Sequence, residues 1–318
     1  MSKYQWKRFW CPRDGSLSLA DGGYLYDPDS THGGLINPKL ACLTAFADCP
    51  CLVMLGEPGI GKSTEFELCV QEARKTAAAP GDLVICLDLK EYQTDTRLVA
   101  DAFDHPSIQG WESGNNILHL FFDSLDEGRL EVRNIASIVA GRIRGLTQHV
   151  GRLRLRITCR TAEWPVSLEE TLYDVFGQQA VQIVELAPLR RRDVIAAAEA
   201  EGIDPEKFLA DVAARDAQPF AINPITLKFL LSIHRRAGEL PTTKYELYEE
   251  GCLRLCVCAL QDHALSWAGR GGSAFSSAGG FSGVAVAAFF AAVFADGFGM
   301  RGGMRGGPSV GTQCGVVR

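Results

Sequence analysis

Short apolar runs recur along the first two thirds of the chain, and helical patterns of apolar positions fill most of the intervals between them. An apolar run of about four to eight residues bounded by turn residues is typical of a buried strand. Strands that alternate with helices predict a parallel sheet with helices on both faces. The predicted strands lie at residues 51–55, 83–89, 117–122, 153–159 and 180–186. The pattern therefore predicts an α/β fold.

The pattern changes after the last predicted strand. From residue 190 to about 258 the apolar positions keep a helical spacing, with breaks near Gly202, Pro219 and Pro241. At 318 residues the chain is long enough for one sizeable α/β domain and a small helical one. We therefore predict that a small helical domain follows the sheet.

A glycine-rich turn separates the first predicted strand from a predicted helix. Residues 56–63 read Gly-Glu-Pro-Gly-Ile-Gly-Lys-Ser, the complete G-x-x-x-x-G-K-S pattern of a phosphate-binding loop (P-loop). Glycines let backbone N–H groups surround phosphates, and the helix N-terminus adds partial positive charge. The pattern assigns Lys62 to the β- and γ-phosphates and the Ser63 hydroxyl to Mg²⁺. The alternative, a chance match, fits the strand and helix on either side poorly. The candidate nucleotide-binding residues here are Gly56, Glu57, Pro58, Gly59, Ile60, Gly61, Lys62, Ser63 and Thr64.

The third predicted strand ends in a group of acids. Asp123 follows the run directly, and Asp126 and Glu127 come within one further turn. A carboxylate at the C-terminal end of a parallel strand faces the crevice where open α/β sheets bind ligands. Asp123 is therefore the candidate Walker B residue, a ligand of Mg²⁺ together with Ser63. Asp126 or Glu127 could orient or deprotonate an attacking water. The alternative is an acidic surface turn, which explains one acid more easily than three.

The fourth predicted strand ends at Arg160. A planar guanidinium pairs well with phosphate oxygens, so Arg160 is a candidate sensor of the γ-phosphate. The alternative is a structural arginine at a strand end. Three arginines alternate along the same segment: Arg152, Arg154 and Arg156. For these three we favour the structural interpretation, and we expect them to be solvated or salt-bridged.

Together these segments resemble the NACHT group within the STAND class of P-loop ATPases. A NACHT protein carries a small residue after the Mg²⁺ aspartate and then acids at two of the next three positions. Ser124, Asp126 and Glu127 fit that pattern. Most AAA+ proteins carry a glutamate where Ser124 stands. The resemblance covers roughly residues 50–258.

The same resemblance extends to two further positions. It identifies Arg160 as the family's sensor 1. It also matches the segment Ala221-Ile-Asn-Pro-Ile-Thr to the family's proline-bearing helix start, and this implies that Pro224 lies near the adenine. A winged-helix segment and a repeat array, which the family carries further along, are not recognisable in this sequence.

The resemblance implies a function. A NACHT-type protein is an ATP-binding, slowly ATP-hydrolysing regulatory switch with ATP and Mg²⁺ as cofactors. In an intact relative the switch drives ligand-triggered assembly, plausibly in bacterial defence against phage, with self-association through the nucleotide-binding domain. One alternative is a scaffold that binds nucleotide without hydrolysis. Another is a DNA-associated AAA+-like motor ATPase, and Ser124 counts against it.

Charge and cysteine placement favour a cytoplasmic protein. The net charge of −6 argues against nonspecific nucleic-acid binding. The N-terminus has no apolar core of signal-peptide length. An apolar stretch at 283–295 is shorter than the roughly 20 residues of a membrane span, so we predict no membrane contact. The eleven cysteines include no C-x-x-C pair with well-spaced histidines, which favours structural thiols over zinc ligands.

The composition changes again near the C-terminus. Residues 264–318 hold 14 of the 33 glycines, one acid and four arginines. We favour a shifted reading frame that begins near 257–265, with a natural low-complexity tail as the alternative. The predicted domains are an aromatic, turn-rich extension (1–48), a P-loop domain (49–189), a helical domain (190–262) and a Gly/Ala-rich tail (263–318).

Overall fold

A computed structural model describes residues 4, 6–77, 81–132, 134–243 and 246–247. The predicted tail (263–318) and the end of the predicted helical domain lie outside the described residues. The strands are β1 (Trp10–Pro12), β2 (Cys51–Leu55), β3 (Leu83–Asp88), β4 (Leu118–Asp123), β5 (Leu153–Cys159) and β6 (Val181–Leu186). The helices are α1 (Gly33–Ile36), α2 (Lys62–Thr76), α3 (Asp95–Ala102), α4 (Pro106–Glu112), α5 (Leu125–Glu131), α6 (Ile135–Gly145), α7 (Val166–Phe176), α8 (Arg191–Ala200), α9 (Pro205–Ala214), α10 (Gln218–Ala221) and α11 (Pro224–Ala237).

The strands form one six-stranded, mainly parallel sheet in the order β1-β6-β2-β5-β4-β3. Strands β2 to β6 pair in parallel, and β1 adds to the edge antiparallel to β6. The predicted α/β P-loop fold is confirmed, and each of the five predicted strands lies within one residue of an observed strand at both ends. Strand β1 was not predicted, because three residues are too few to reveal a period of two.

Helices cover both faces of the sheet, as expected. On strand β2, Cys51, Val53 and Leu55 face one hydrophobic cluster, whereas Leu52 and Met54 face the other. This division follows from the alternation of side chains along a strand. Helices α6 and α7 pack on the first face, and α2 packs on the second. Both faces of β2 are buried, which explains its uninterrupted apolar sequence.

The aromatic N-terminal segment packs on the rest of the fold. Phe9 and Trp10 are buried, and the Trp6 indole N–H donates to the Asp193 carbonyl at the start of α8. These aromatic side chains therefore pack against the sheet and the following helices. The segment therefore adds a strand to the sheet and also contacts the helices that follow it.

Helices α8 to α11 follow the sheet, in line with the helical pattern of the sequence. Asp204 caps α9 and Asn223 caps α11 through side-chain acceptors. The break predicted near Pro219 lies at residues 215–217, between the end of α9 and the start of α10 at Gln218. Pro219 is the second residue of α10, where a missing N–H has no cost, and α9 has already ended at Ala214.

Arg156 departs from the expectation of a solvated or salt-bridged strand end. It is buried, and its guanidinium donates to the carbonyl oxygens of Ala47 (3.0 Å) and Phe46 (3.4 Å). These carbonyls end a short 3₁₀ turn over the sheet, and such carbonyls need donors when they are buried. Arg152 and Arg154 likewise donate to backbone carbonyls.

The described cysteines are free thiols, in agreement with structural roles. Burial raises the pKa of the Cys159 thiol to about 12, so it stays protonated. Within the described ranges, no group of three or more His, Cys, Asp or Glu side chains could hold a metal ion by itself. None of the described helices is long and apolar enough to cross a membrane.

Candidate functional site

The P-loop joins the C-terminal end of β2 to the start of α2. Gly59 (φ 75°) and Gly61 (φ 101°) both lie in the left-handed region, which glycine enters without steric cost. Gly61 is the N-cap of α2 and supplies no side-chain acceptor to the first-turn N–H groups. A 15-residue helix therefore begins with amides directed toward the loop, which is the arrangement that binds a phosphate.

Lys62 lies over this loop. Its Nζ donates to the Gly56 carbonyl at 2.5 Å and lies 3.4 Å from the Glu57 carbonyl. Burial lowers the pKa of Lys62, and the nearby Asp126 carboxylate partly offsets that effect. Ser63 and Thr64 follow in the first turn of α2, and both are exposed. The lysine ammonium therefore lies beside backbone carbonyls at the start of the loop.

Asp123 is the last residue of β4. One strand, β5, separates β4 from the P-loop strand β2. The Thr158 hydroxyl on β5 donates to Asp123 Oδ1 and accepts from the Ser124 N–H (2.9 Å). Ser124 has φ 59°, so the chain turns sharply between β4 and α5. Thr158 therefore holds the Oδ1 atom of Asp123, and the other carboxylate oxygen, Oδ2, takes no part in this hydrogen bond. Sequence reasoning missed Thr158, although a threonine near the end of an apolar run was a signal.

Asp126, Glu127 and Arg160 come together as an ion-pair cluster. Arg160 Nε lies 2.9 Å from Asp126 Oδ2, and the Arg160 N–H donates to Asp126 Oδ1 at 3.0 Å. Arg160 Nη2 lies 3.3 Å from Glu127 Oε1. The Asp126 side chain is 8% exposed, whereas that of Glu127 is 42% exposed. The two acids are therefore not equivalent: the Asp126 side chain is largely enclosed and bonds both the main chain and the side chain of Arg160, whereas the Glu127 side chain is partly exposed.

The start of α11 contacts the tip of the P-loop. Asn223 Nδ2 donates to the Pro58 carbonyl at 3.3 Å. A Cβ on Gly59 would overlap the Ile225 side chain, and a Cβ on Gly61 would lie 3.9 Å from Pro224 Cγ. The sequence-predicted Pro224 thus lies beside the loop. Gly59 is required both by its positive φ and by the close approach of α11.

Arg8 is a second residue that sequence reasoning missed. It is buried, and its guanidinium donates to the Ile60 carbonyl of the P-loop at 2.8 Å and to the Ala187 carbonyl after β6 at 2.6 Å. Burial lowers the pKa of Arg8 to about 10, and the carboxylates of Glu65 and Asp193 partly offset this. The guanidinium is therefore charged at neutral pH.

The site residues meet at the C-terminal edge of parallel strands β2, β4 and β5, where open α/β sheets bind ligands. Oxygen ligands suit Mg²⁺, which is commonly held by one or two protein groups together with substrate phosphates. Ser63, exposed in the first turn of α2, and Asp123, held at one oxygen by Thr158, fit that requirement. The residues that could hold nucleotide and metal are therefore on one edge of the sheet.

No protein-family model and no curated protein sequence matches the chain. Among solved structures it is similar to the ORC2 protein of Aeropyrum pernix in its ADPNP and ADP complexes, with 12% identity and a TM-score of 0.38. The likeness covers 66% of this chain and 63% of the ORC2 chain, which is less than two thirds of the latter's length. At this level it carries no information about what the chain binds.

Proposed function

We propose that the chain is an ATP-binding, slowly ATP-hydrolysing regulatory switch of the NACHT/STAND type. The observation that carries this function is the contact between α11 and the P-loop. Asn223 bonds the Pro58 carbonyl, and Ile225 packs over Gly59. A ligand bound in the loop would therefore act directly on α11, one of the helices that follow the sheet. A change at one end of such a contact can shift the packing at the other.

The charge and geometry of the loop support nucleotide binding. The first-turn amides of α2, its helix dipole and Lys62 would contact the phosphates. Ser63 and Asp123 would hold Mg²⁺, which when bound neutralises phosphate charge. Pro224 beside Gly61 agrees with a place near the base, which the family resemblance implies. ATP and Mg²⁺ are accordingly the proposed cofactors.

Hydrolysis requires one of the acids to act on water. Glu127 is the better candidate, because it is half exposed and makes its contact with Arg160 at 3.3 Å. Asp126 is bonded to the Arg160 main chain and side chain together and is buried, so it serves to orient the arginine. A γ-phosphate would compete with Glu127 for Arg160. That competition would free Glu127 to orient water only when a triphosphate is bound.

In such a switch α11 would have two conformations, one packed against the P-loop and one released from it. The resemblance extends this to self-association through the nucleotide-binding domain and to a role in antiphage defence. Sedimentation velocity with ATP and with ADP tests the first of these. We expect the ATP form to be larger.

A non-hydrolysing scaffold is the second candidate. One observation favours it: both acids pair with Arg160 in this structure. If the pairing persists with nucleotide bound, neither acid can position water. Phosphate release under single-turnover conditions separates the two functions, because a scaffold binds ATP and releases no phosphate.

The test of nucleotide binding is Lys62→Ala, read by titration of a fluorescent ATP analogue with Mg²⁺. We expect the affinity to fall about tenfold or more, since a charge-assisted contact to the phosphates is lost. Lys75→Ala is the matched control, because Lys75 lies on the same helix, is exposed and pairs with Glu72. Equal affinity in wild type and Lys62→Ala would contradict the assignment of the P-loop.

The test of the metal site is Asp123→Asn. We expect the dependence of ATP binding on Mg²⁺ to disappear, because the amide replaces the carboxylate ligand. Titration with and without EDTA measures it. If Mg²⁺ strengthens binding to the variant as much as to wild type, Asp123 is not a metal ligand.

A further inference from the structure

Arg8 lies outside every motif of the nucleotide site, yet it bonds the P-loop directly. It belongs to the N-terminal segment, and one residue, Phe9, separates it from β1. One arm of its guanidinium donates to the Ile60 carbonyl, and another donates to the Ala187 carbonyl. A Cβ on Gly61 would lie 3.0 Å from Arg8 Nη1. The guanidinium therefore touches the loop on the peptide that joins Ile60 to Gly61.

This contact has a geometric consequence. In a trans peptide the C=O of one residue and the N–H of the next point to opposite sides. With the Ile60 carbonyl held by Arg8, the Gly61 N–H is directed away from Arg8. The other hydrogen bonds of this stretch point along the chain: Ile60 N–H bonds the Glu57 carbonyl, and the Gly61 carbonyl accepts from Glu65.

We infer that Arg8 is a positioning residue of the phosphate-binding loop, which fixes the Ile60–Gly61 peptide so that the Gly61 N–H faces bound phosphate. The inference rests on the proposed function. Gly61 has φ 101° and no side chain to restrict its backbone, so without Arg8 the Ile60 carbonyl loses the hydrogen bond that holds the orientation of this peptide. A phosphate would then have to order the peptide as it binds, and affinity would fall by that cost.

The second arm of Arg8 explains why an arginine is needed. The Ala187 carbonyl lies just after β6, at the point where the chain leaves the sheet for the helices. A guanidinium carries several donors in a fixed plane and can bond two carbonyls together. A lysine has one nitrogen on a flexible stem and would not hold both carbonyls with the same geometry.

The chain offers a matched control in Arg156. This arginine is also buried, and its guanidinium also donates to backbone carbonyls, those of Phe46 and Ala47. It lies in the interior of β5, and the carbonyls that its guanidinium bonds belong to Phe46, Ala47, Pro50 and Leu155 rather than to the P-loop. Arg8→Gln and Arg156→Gln therefore remove the same kind of interaction, and only the first removes it from the loop.

The experiment measures the affinity of each variant for a fluorescent ATP analogue with Mg²⁺, beside its thermal stability. We expect Arg8→Gln to bind about tenfold more weakly or worse. Arg156→Gln should lose comparable stability and keep wild-type affinity, and Arg8→Lys should lie between wild type and Arg8→Gln. Wild-type affinity in folded Arg8→Gln, or parallel losses of affinity in Arg8→Gln and Arg156→Gln, would overturn the inference.

A measurement without nucleotide separates this inference from the proposed function. In protein labelled with ¹⁵N-glycine, the Gly61 amide resonance should shift or broaden in Arg8→Gln and Arg8→Lys and stay unchanged in Arg156→Gln. An unchanged Gly61 resonance in the Arg8 variants would overturn the positioning role even if ATP binds. If Arg8→Gln does not fold, Arg8→Lys is read by the same criteria. Failure of wild type to bind ATP would instead count against the proposed function.

Discussion

The interior of strand β5 and the position just beyond its C-terminal end use the same side chain in different ways. In its interior, Arg156 is buried and donates to main-chain carbonyls such as that of Ala47. Just beyond its C-terminal end, Arg160 is about one third exposed and pairs with the carboxylates of Asp126 and Glu127. A bond to a carbonyl satisfies a buried polar group and has no obvious competitor. A bond to a partly exposed carboxylate can be exchanged for a bond to a phosphate.

The difference shows that the position of an arginine along a parallel strand decides whether it bonds the main chain or pairs with groups of the site. Side chains in the middle of the strand lie between helices, whereas those at the C-terminal end face the crevice of the sheet. Thr158 lies between the two arginines and belongs to the site, because its hydroxyl bonds Asp123. Substitutions near Arg160 should therefore alter the chemistry of the site, whereas substitutions near Arg156 should alter stability.

The largest expected effect comes from Glu127→Gln. Loss of the acid that orients water should slow ATP hydrolysis by about 10²-fold or more while ATP remains bound. Single-turnover phosphate release and nucleotide titration measure the two parts. Asp126→Asn is the comparison: we expect it also to slow hydrolysis, but through a mispositioned Arg160. If both variants hydrolyse ATP like wild type, the acids are a structural turn.

Replacement of Arg160 by Met should reduce the preference for ATP over ADP by about tenfold, because only the triphosphate carries the γ-phosphate that Arg160 would contact. Paired titrations with ATP and ADP analogues give this ratio. A ratio that stays at the wild-type value would show that Arg160, like Arg156, has only a structural role. A second readout is trypsin sensitivity near α11 with each nucleotide.

Thr158→Val should produce a smaller change at the site. Valine has nearly the shape of threonine but leaves Asp123 Oδ1 and the Ser124 N–H without their hydroxyl partner. We expect the apparent affinity for Mg²⁺ in the presence of ATP to fall by several-fold, about 1 kcal/mol. Thr158→Ser, which keeps the hydroxyl, should restore it. No difference between the valine and serine variants would argue against a positioning role.

The smallest effect on nucleotide binding should come from Arg156→Met. It should lower the free energy of unfolding by about 1–3 kcal/mol, since buried carbonyls lose their donors, with affinity for ATP unchanged. Urea unfolding and nucleotide titration on the same sample measure both quantities. A loss of affinity for ATP without a loss of free energy of unfolding would mean that the interior of β5 is coupled to nucleotide binding.

Much of the fold could be predicted from the sequence because it is encoded locally. The five apolar runs became five parallel strands, since runs bounded by turn residues specify buried strands without reference to partners. The P-loop could be read for the same reason: its glycines and Lys62 act within one strand–turn–helix unit. The break predicted near Pro219 rests on the same kind of local signal, and the helices are interrupted between Ala214 and Gln218.

Contacts between residues that are distant in the sequence were decided only by the tertiary structure. Arg8 reaches Ile60 and Ala187, and Thr158 reaches Asp123 across 35 positions. The unequal environments of Asp126 and Glu127 also arise only when β5 brings Arg160 beside α5. Periodicity and spacing report on which elements form, because those depend on neighbours in sequence. Which donor meets which carbonyl or carboxylate depends on strand order, and the order β2-β5-β4 is fixed by the packing of the whole sheet.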